Sequence, residues 1–221
     1  MLITKINPKS ISAEAYRRLR TNIQYSSIDK KIKTILITSA EPAAGKSTTA
    51  ANLAITFSED NKKVLLIDCD LRKPSLHRQF KLSNVVGLTD VLVGKEKFED
   101  TVNNYSANLN ILTSGKIPPN PSEILGSNNM MELLNQLRKY YDIIIIDTAP
   151  LQAVTDGQIL ATKTDGTILL IKAESTRKDL AIEAKKSLDK IGANILGVVF
   201  NSVNISKNNH YGYYSYYGSD V

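Results

Sequence analysis

Short aliphatic runs alternate along the chain with segments in which apolar residues recur at helical spacing. The runs occupy residues 33–38, 63–68, 109–114, 142–147, 166–172 and 194–200. Runs that are almost entirely apolar are typical of parallel strands with both faces covered. Because such strands alternate with helices, the pattern predicts an α/β fold with a doubly wound, mostly parallel sheet.

Helical periodicity predicts three helices between these strands, over 48–60, 130–141 and 176–192. Gly192 closes the third, since glycine readily adopts the left-handed conformation that ends helices. The proline-rich segment 115–127 is predicted as a loop that leads into a short helix.

The two ends of the chain differ from this alternating region. An N-terminal helix is predicted over residues 10–27, with Ser10 or Ser12 as its N-cap. Aliphatic periodicity stops after Ile205. We therefore predict a single domain over 1–205, followed by a flexible, tyrosine-rich tail over 206–221.

Composition excludes several classes of protein. The 221 residues are 42% hydrophobic, yet no apolar run approaches a membrane span of roughly 20 residues, and the pattern predicts no signal peptide. One cysteine, Cys69, cannot form an intramolecular disulfide and suits a reducing, cytoplasmic compartment. The net charge of +6 is spread without a nucleic-acid-binding motif. We therefore expect no nucleic-acid partner.

The segment ILITSAEPAAGKSTT joins a predicted strand to a predicted helix, which is the context that a phosphate-binding loop requires. Backbone N–H groups at such a junction converge on phosphates. Nucleotide contacts are expected from Ala43, Ala44, Gly45, Lys46, Ser47 and Thr48. In this arrangement Lys46 reaches the β- and γ-phosphates and Ser47 binds Mg²⁺. The expected ligands are thus ATP and Mg²⁺.

Two alanines depart from the usual composition of such a loop. Ala40 and Ala43 stand where glycine is frequent. Each must either keep a negative φ or bear strain, because a Cβ atom disfavours positive φ.

Three carboxylates end predicted strands. Asp68 and Asp70 lie two residues apart at the end of one strand, and Asp147 ends another. Ligands of parallel sheets bind at the carboxyl ends of strands, so these groups should meet the phosphate loop at one edge. They are candidate metal ligands together with Ser47, and one can act as a base for a hydroxyl nucleophile. We favour Asp68 as the base.

These segments together resemble the bacterial protein-tyrosine kinases of capsule and exopolysaccharide synthesis. The phosphate loop, VLLIDCDLRKP and IIIIDTAP are similar to that family's three nucleotide-site motifs, and EAYRRLR to its N-terminal helix motif. The resemblance implies a P-loop NTPase domain that acts as a tyrosine kinase, with Lys46, Asp68, Asp70 and Asp147 as catalytic residues. The chain looks like the separate kinase subunit of Gram-positive bacteria.

The resemblance also implies partners. Glu14, Arg17 and Arg20 match the helix motif and are expected to mediate assembly into a homo-oligomeric ring. The expected activator is the cytoplasmic tail of a membrane-embedded chain-length regulator, which would recruit the kinase to the inner face of the plasma membrane. Protein tyrosine substrates and a tyrosine phosphatase are expected as well.

The tail carries the expected phosphorylation sites. Half of the chain's ten tyrosines fall within seven residues, at Tyr211, Tyr213, Tyr214, Tyr216 and Tyr217. The family resemblance makes them substrates presented in trans to a neighbouring subunit. Gly212 lies between them and Gly218 directly follows them, and these glycines favour a segment flexible enough to enter an active site.

The sequence leaves alternatives for one residue and for the overall function. Asn201, at the end of the last predicted strand, either contacts adenine or caps the strand. Cys69 is interpreted as a core residue, since neighbouring carboxylates disfavour a thiolate.

Two alternatives to a tyrosine kinase remain. One is a partition-type ATPase switch, which is disfavoured by Glu41 because those proteins carry a lysine at this position. The other is a non-catalytic nucleotide-binding scaffold.

Overall fold

The computed structural model describes residues 2–26 and 31–204. Its seven strands in this part of the chain form one sheet with the order β3-β4-β2-β5-β1-β6-β7. The strands are β1 (Thr34–Ser39), β2 (Val64–Asp68), β3 (Asn103–Ser106), β4 (Leu109–Leu112), β5 (Ile143–Asp147), β6 (Gly166–Lys172) and β7 (Ile195–Asn201). All neighbours pair in parallel except β3 and β4. The predicted doubly wound P-loop fold is confirmed.

Ten helices flank the sheet within the described residues. They are α1 (Ile3–Ile6), α2 (Ile11–Gln24), α3 (Lys46–Glu59), α4 (Leu76–Phe80), α5 (Leu88–Leu92), α6 (Phe98–Thr101), α7 (Pro121–Gly126), α8 (Asn128–Leu137), α9 (Asp156–Ala161) and α10 (Lys178–Lys190). None of them is long and apolar enough to cross a membrane.

Apolar residues that alternate along the strands form a core on each face of the sheet. Leu36 and Ile144 point to the layer that contains α8, α9 and α10, whereas Ile35 and Ile145 pack with Phe57 of α3 on the other face. All five side chains are fully buried and each contributes about 1.5–3 kcal/mol to stability by leaving water. This double cover explains why the strands are apolar at successive positions.

The predicted strands and helices are found with modest shifts, and one strand is new. The strand predicted over 109–114 ends at Leu112, and β3, with the sequence NNYS, was not predicted. Lacking aliphatic residues, β3 carries no apolar signal, and it forms only because it pairs antiparallel with β4 at the edge of the sheet.

The helix ends test the predicted caps. Ser10, and not Ser12, is the N-cap of α2, since its Oγ accepts a hydrogen bond from the N–H of Ala13 at 3.2 Å. Gly192 follows α10 with φ 69°, as predicted. The tail predicted over 206–221 lies outside the described residues.

Candidate active site

The phosphate loop, residues 40–45, joins β1 to α3. Ala40 avoids positive φ, but Ala43 has φ 57° and Gly45 has φ 94°. A Cβ atom at Gly45 would lie 2.1 Å from Nδ2 of Asn201, so that side chain would have to move, and the φ of 94° itself strains any residue other than glycine. The loop therefore needs left-handed backbone at two positions and bears strain at the one occupied by alanine.

Replacing Ala43 with glycine is expected to stabilise the unliganded protein. The left-handed conformation costs a non-glycine residue about 1–2 kcal/mol, and glycine's greater freedom in the unfolded chain offsets roughly 0.4–1 kcal/mol of that gain. We expect the free energy of unfolding to rise by up to about 1 kcal/mol, measured by denaturant titration. The neighbouring Ala44→Gly, without positive φ to relieve, should lower it. Destabilisation by Ala43→Gly equal to that of the control would contradict strain at this position.

Lys46 begins α3 and is almost fully buried, with 7% of its surface exposed. Its Nζ donates a hydrogen bond to Oγ of Ser39 at 3.3 Å. Burial lowers the pKa of Lys46, and the negative charges of Asp147 and Asp70 oppose that shift. The ammonium group of Lys46 therefore lies at the carboxyl edge of the sheet, close to Asp147 and Asp70 as predicted.

Asp68 and Asp147 end adjacent strands and are direct register partners of β2 and β5. Both are fully buried. Asp68 accepts hydrogen bonds from the backbone N–H groups of Ser75 and Leu76 at 3.0 Å, and from that of Asp70 at 3.3 Å. Burial raises the pKa of Asp68 to about 6 in spite of these bonds. The carboxylates of Asp68 and Asp147 therefore lie side by side in one buried site.

Asp147 has no such partners. Neither of its buried carboxylate oxygens has a hydrogen-bond partner within the described part of the chain. Burial, and next the charge of Asp68, raise its pKa well above the ordinary value, while the Ser47 hydroxyl and Lys46 act in the opposite direction. A buried, unpartnered carboxylate is costly, and a bound cation would satisfy it.

Asp70 faces a cavity of about 370 Å³, whereas Asp68 and Asp147 are not among its lining residues. The cavity is also lined by Gly45 of the phosphate loop and by Lys46 and Ser47 at the start of α3. The structure therefore brings the predicted loop and the three carboxylates to one edge, with one carboxylate exposed to the cavity and two below the surface.

These residues fit a Mg²⁺ ion that is only partly held by protein. No group of three or more His, Cys, Asp or Glu side chains in residues 2–26 and 31–204 could bind a metal by itself. The unsatisfied oxygens of Asp147 and the hydroxyl of Ser47 are hard ligands of the kind Mg²⁺ prefers. Magnesium sites in P-loop proteins take further ligands from nucleotide phosphates.

Comparison with known proteins identifies the family. A family model described as an AAA domain matches residues 32–188. The tyrosine-protein kinase YwqD of Bacillus subtilis (strain 168) is 48% identical over 214 residues, which are 96% of this chain and 90% of YwqD. The putative tyrosine-protein kinase CapB of Staphylococcus aureus is 42% identical, over 96% of this chain and 93% of CapB. The chain belongs to the bacterial tyrosine-protein kinases.

Solved structures share the fold of this chain. The crystal structure of the chimerical protein CapA2B2 superposes on this kinase with a TM-score of 0.88 at 38% identity, covering 91% of this chain and 89% of that one. The septum site-determining protein MinD of Pyrococcus horikoshii OT3, complexed with Mg-ADP, shares 26% identity at a TM-score of 0.66, over 80% of this chain and 72% of that one.

Asn201 ends β7 of the kinase and links it to the phosphate loop. Its Nδ2 donates a hydrogen bond to the carbonyl of Ala44 at 2.8 Å, and its Oδ1 accepts one from the N–H of Ser202 at 2.9 Å. The side chain thus ties the strand to the loop beside Gly45. Contact with adenine stays a prediction.

Cys69 is fully buried between the two carboxylates of its loop. Burial, followed by the charge of Asp68, raises the pKa of its thiol well above the ordinary value. A thiolate is therefore disfavoured, and Cys69 is a core residue of the kinase as predicted.

The residues expected to mediate oligomerisation make contacts within the chain. Arg17 pairs with Glu14 at 3.0 Å and donates to the carbonyl of Pro8 at 2.7 Å. Arg20 donates to the carbonyl of Thr56 in α3 at 3.0 Å and is more buried than Arg17. Arg20 therefore attaches α2 to the core, while Arg17 and Glu14 remain on the outer part of the helix. Their assembly role stays a prediction.

Sequence reasoning missed three residues beside the cavity. Arg72 lines it, and its guanidinium pairs with the fully buried Asp156 and with Ser122 of α7. The arginine directly follows the predicted Asp68–Asp70 pair, which was a usable signal. Nothing in the local sequence points to Asp156 or Ser122, because they lie 84 and 50 residues away from it.

Proposed function

We propose that this kinase transfers the γ-phosphoryl group of ATP to the tyrosines of its own C-terminal cluster, Tyr211, Tyr213, Tyr214, Tyr216 and Tyr217. The observation that carries the proposal is the unpartnered, fully buried carboxylate of Asp147 beside Ser47 and Lys46. It supports a metal–phosphate site at this edge. Family membership supports tyrosine as the acceptor.

Different residues of the chain would bind the phosphates and the magnesium ion. Backbone N–H groups of residues 43–48 and the ammonium of Lys46 would hold the phosphates. Ser47, Asp147 and Asp70 would hold Mg²⁺, directly or through water. A Mg²⁺ ion at this position would neutralise negative charge on the phosphoryl group during transfer. MinD, which has a related fold, was solved in complex with Mg-ADP, and this supports nucleotide and magnesium as ligands of this chain.

We propose Asp68 as the group that accepts the tyrosine proton. A free tyrosine has a pKa near 10, so its hydroxyl needs help at neutral pH. A pKa of about 6 leaves Asp68 ionised yet basic at pH 7. Its Oδ1 accepts only one long bond, of 3.3 Å, and so has capacity for another donor. Asp68 lies below the cavity surface in the unliganded protein, so this role requires a movement of the segment or a bridging water that brings the proton to it. Asp70, which lines the cavity, is the second candidate.

One experiment separates this function from the two alternatives. The chain is incubated with Mg·ATP, with and without the cytoplasmic tail of the membrane partner. Tail phosphotyrosine is measured by mass spectrometry and free phosphate by a coupled assay. Phosphotyrosine supports the kinase, partner-stimulated phosphate release without phosphotyrosine supports a partition-type ATPase, and neither product supports a nucleotide-binding scaffold.

The assembly and the cellular role are also proposals. We infer a homo-oligomeric ring in which the tail of one subunit reaches a neighbour's site. Its activator would be the cytoplasmic tail of a membrane-embedded chain-length regulator, which brings the kinase to the inner face of the plasma membrane. A phosphatase would reverse the modification. The proposed output is control of capsular or exopolysaccharide synthesis and export, and it rests on the family resemblance.

Reversing the charge of Arg17 is expected to dissociate this oligomer. Arg17→Glu places two carboxylates three residues apart on α2, where Glu14 now has a cationic partner. Arg20 is unsuitable for the test because its loss would also remove a hydrogen bond between α2 and α3. Size-exclusion chromatography with light scattering should give a monomer.

The matched control is Lys185→Glu, which breaks a comparable intrahelical pair in α10, Lys185–Asp189 at 2.7 Å. The control should keep the parent's oligomeric state. An Arg17→Glu protein that elutes like the parent would remove Arg17 from the interface.

A further inference from the structure

Arg72 is held rigidly on the wall of the cavity by residues behind it. Its Nε donates to Oδ2 of Asp156 at 3.0 Å, and its Nη2 donates to Oδ1 of Asp156 at 3.3 Å and to Oγ of Ser122 at 2.9 Å. Ser122 in turn donates to Oδ1 of Asp156 at 2.6 Å. Asp156 is fully buried and neither it nor Ser122 lines the cavity. The three groups form a closed set, and the direction of the guanidinium is fixed.

This arrangement uses only part of the donor capacity of Arg72. A guanidinium carries five N–H groups, and the three bonds to Asp156 and Ser122 occupy those of Nε and Nη2. No acceptor for Nη1 is found among the described residues. The side chain is 39% exposed and lines the cavity that also contains Lys46. Two pre-oriented donors are therefore available to a ligand.

The charge around the cavity selects an anionic ligand. Lys46, Arg72 and Lys73 line it, with Asp70 as the one carboxylate among its lining residues. Asp156 balances the charge of Arg72, but it accepts hydrogen bonds only from Nε and Nη2, so Nη1 can still bind a ligand. A rigid guanidinium matches the oxygens of a phosphoryl group better than a flexible ammonium does. The shared wall with the phosphate loop favours a phosphoryl group over a carboxylate.

We propose that Arg72 forms a phosphoryl-binding subsite of the cavity, with Asp156 and Ser122 as its positioning residues. The inference rests on the proposed kinase function. Two sources offer this chemistry: the γ-phosphate of ATP, or the phosphate of a tyrosine in the tail that has already been modified. In the second case the kinase would prefer a partly phosphorylated tail and would modify its tyrosines in a preferred order.

The nucleotide arm compares the full-length parent with Arg72→Gln. Dissociation constants for Mg·ADP and for a magnesium complex of a non-hydrolysable ATP analogue are measured by calorimetry. If Arg72 binds the γ-phosphate, affinity for the analogue falls about tenfold or more, because charge-assisted hydrogen bonds are lost. Affinity for Mg·ADP stays within twofold of the parent's.

The acceptor arm uses synthetic peptides of residues 207–221, either unmodified or carrying phosphotyrosine at position 217. If Arg72 binds a modified tyrosine, Arg72→Gln raises the KM for the phosphopeptide about tenfold and leaves that for the unmodified peptide unchanged. Affinity for the ATP analogue is then the parent's.

The control is Arg138→Gln. Arg138 makes a similar set of contacts, to Asp165 at 3.2 Å and to the Thr34 hydroxyl at 2.9 Å, but does not line the cavity. It should match Arg72→Gln in any loss of stability and leave both ligand readouts unchanged. Ser122→Ala removes one support from outside the cavity and should give the same selective loss as Arg72→Gln, at about threefold. If Arg72→Gln does not fold, Ser122→Ala tests the subsite in its place.

The outcomes separate two failures. A parent that neither binds Mg·ATP nor forms phosphotyrosine contradicts the proposed function. A parent that does both, with Arg72→Gln and Ser122→Ala unchanged in both arms, overturns the subsite alone. Equal losses for Mg·ADP and the analogue would also overturn it, since they would show a general disturbance of the loop.

Discussion

Lys46→Met should lower tail phosphorylation at least about 100-fold, since removal of one pre-oriented charge at a reacting group commonly has that effect. The ammonium lies at the start of the helix that follows the phosphate loop, with Asp147 and Asp70 as its charged neighbours. Methionine has a similar length but no charge. Phosphotyrosine per chain, measured by mass spectrometry after incubation with Mg·ATP, gives the result.

The fold should survive the same change. Lys46 is nearly buried and burial already disfavours its charged form, so an apolar side chain should fit the site without loss of thermal stability. Lys33→Met is the control, because the Lys33 ammonium donates to the carbonyl of Arg138 at 2.6 Å, away from the cavity. It should phosphorylate its tail normally. Near-normal phosphorylation by Lys46→Met would contradict the proposed mechanism.

Asp147→Asn should make the unliganded kinase more stable while it weakens the response to Mg·ATP. The parent buries a carboxylate whose oxygens have no partner. Because an amide has no charge to desolvate, the free energy of unfolding should rise by about 1–3 kcal/mol at pH 7. The rise in melting temperature that Mg·ATP gives the parent should be largely lost, since binding to the native state would be weaker.

The pH dependence has a definite sign. The pKa of Asp147 is raised in the folded protein, so the folded state keeps its proton at pH values where the unfolded chain has lost it. The parent therefore loses stability as the pH rises above the ordinary aspartate pKa of about 4. The advantage of Asp147→Asn should be large at pH 7 and should shrink as the pH falls towards 4.

The control for this variant lies at the other end of the same strand. Asp142 directly precedes β5 and its Oδ2 accepts a hydrogen bond from the N–H of Lys63 at 3.0 Å. Asp142→Asn should bring no gain in stability and should leave the response to Mg·ATP intact. If Asp147→Asn instead destabilised the unliganded protein, burial of this carboxylate would not be costly to the fold, and the prediction would be wrong.

The parts of the fold that the sequence could predict are those in which local pattern and tertiary context agree. The strands that end at Asp68 and Asp147 are apolar at every position before the aspartate, because both faces of the sheet are covered. Their ends meet because the strands are parallel neighbours. β3 was missed, since its polar residues form a strand only beside β4.

The site followed the same division. Lys46 and Ser47 belong to a local motif, whereas the set formed by Arg72, Ser122 and Asp156 is assembled from three separate parts of the chain. The residue types at Asp156 and Ser122 are common at helix starts and carry no local signal for this pairing. For Ala43 the sequence allowed either a negative φ or a strained positive φ. The backbone of the folded protein has the positive value, 57°.

The hydrogen bond from Asn201 to Ala44 spans 157 positions of sequence. During synthesis the phosphate loop leaves the ribosome long before the strand that ends at Asn201, so this bond cannot form until the last strand of the sheet has been made. A nascent kinase would therefore lack the final form of its nucleotide loop until nearly all of the domain has been translated.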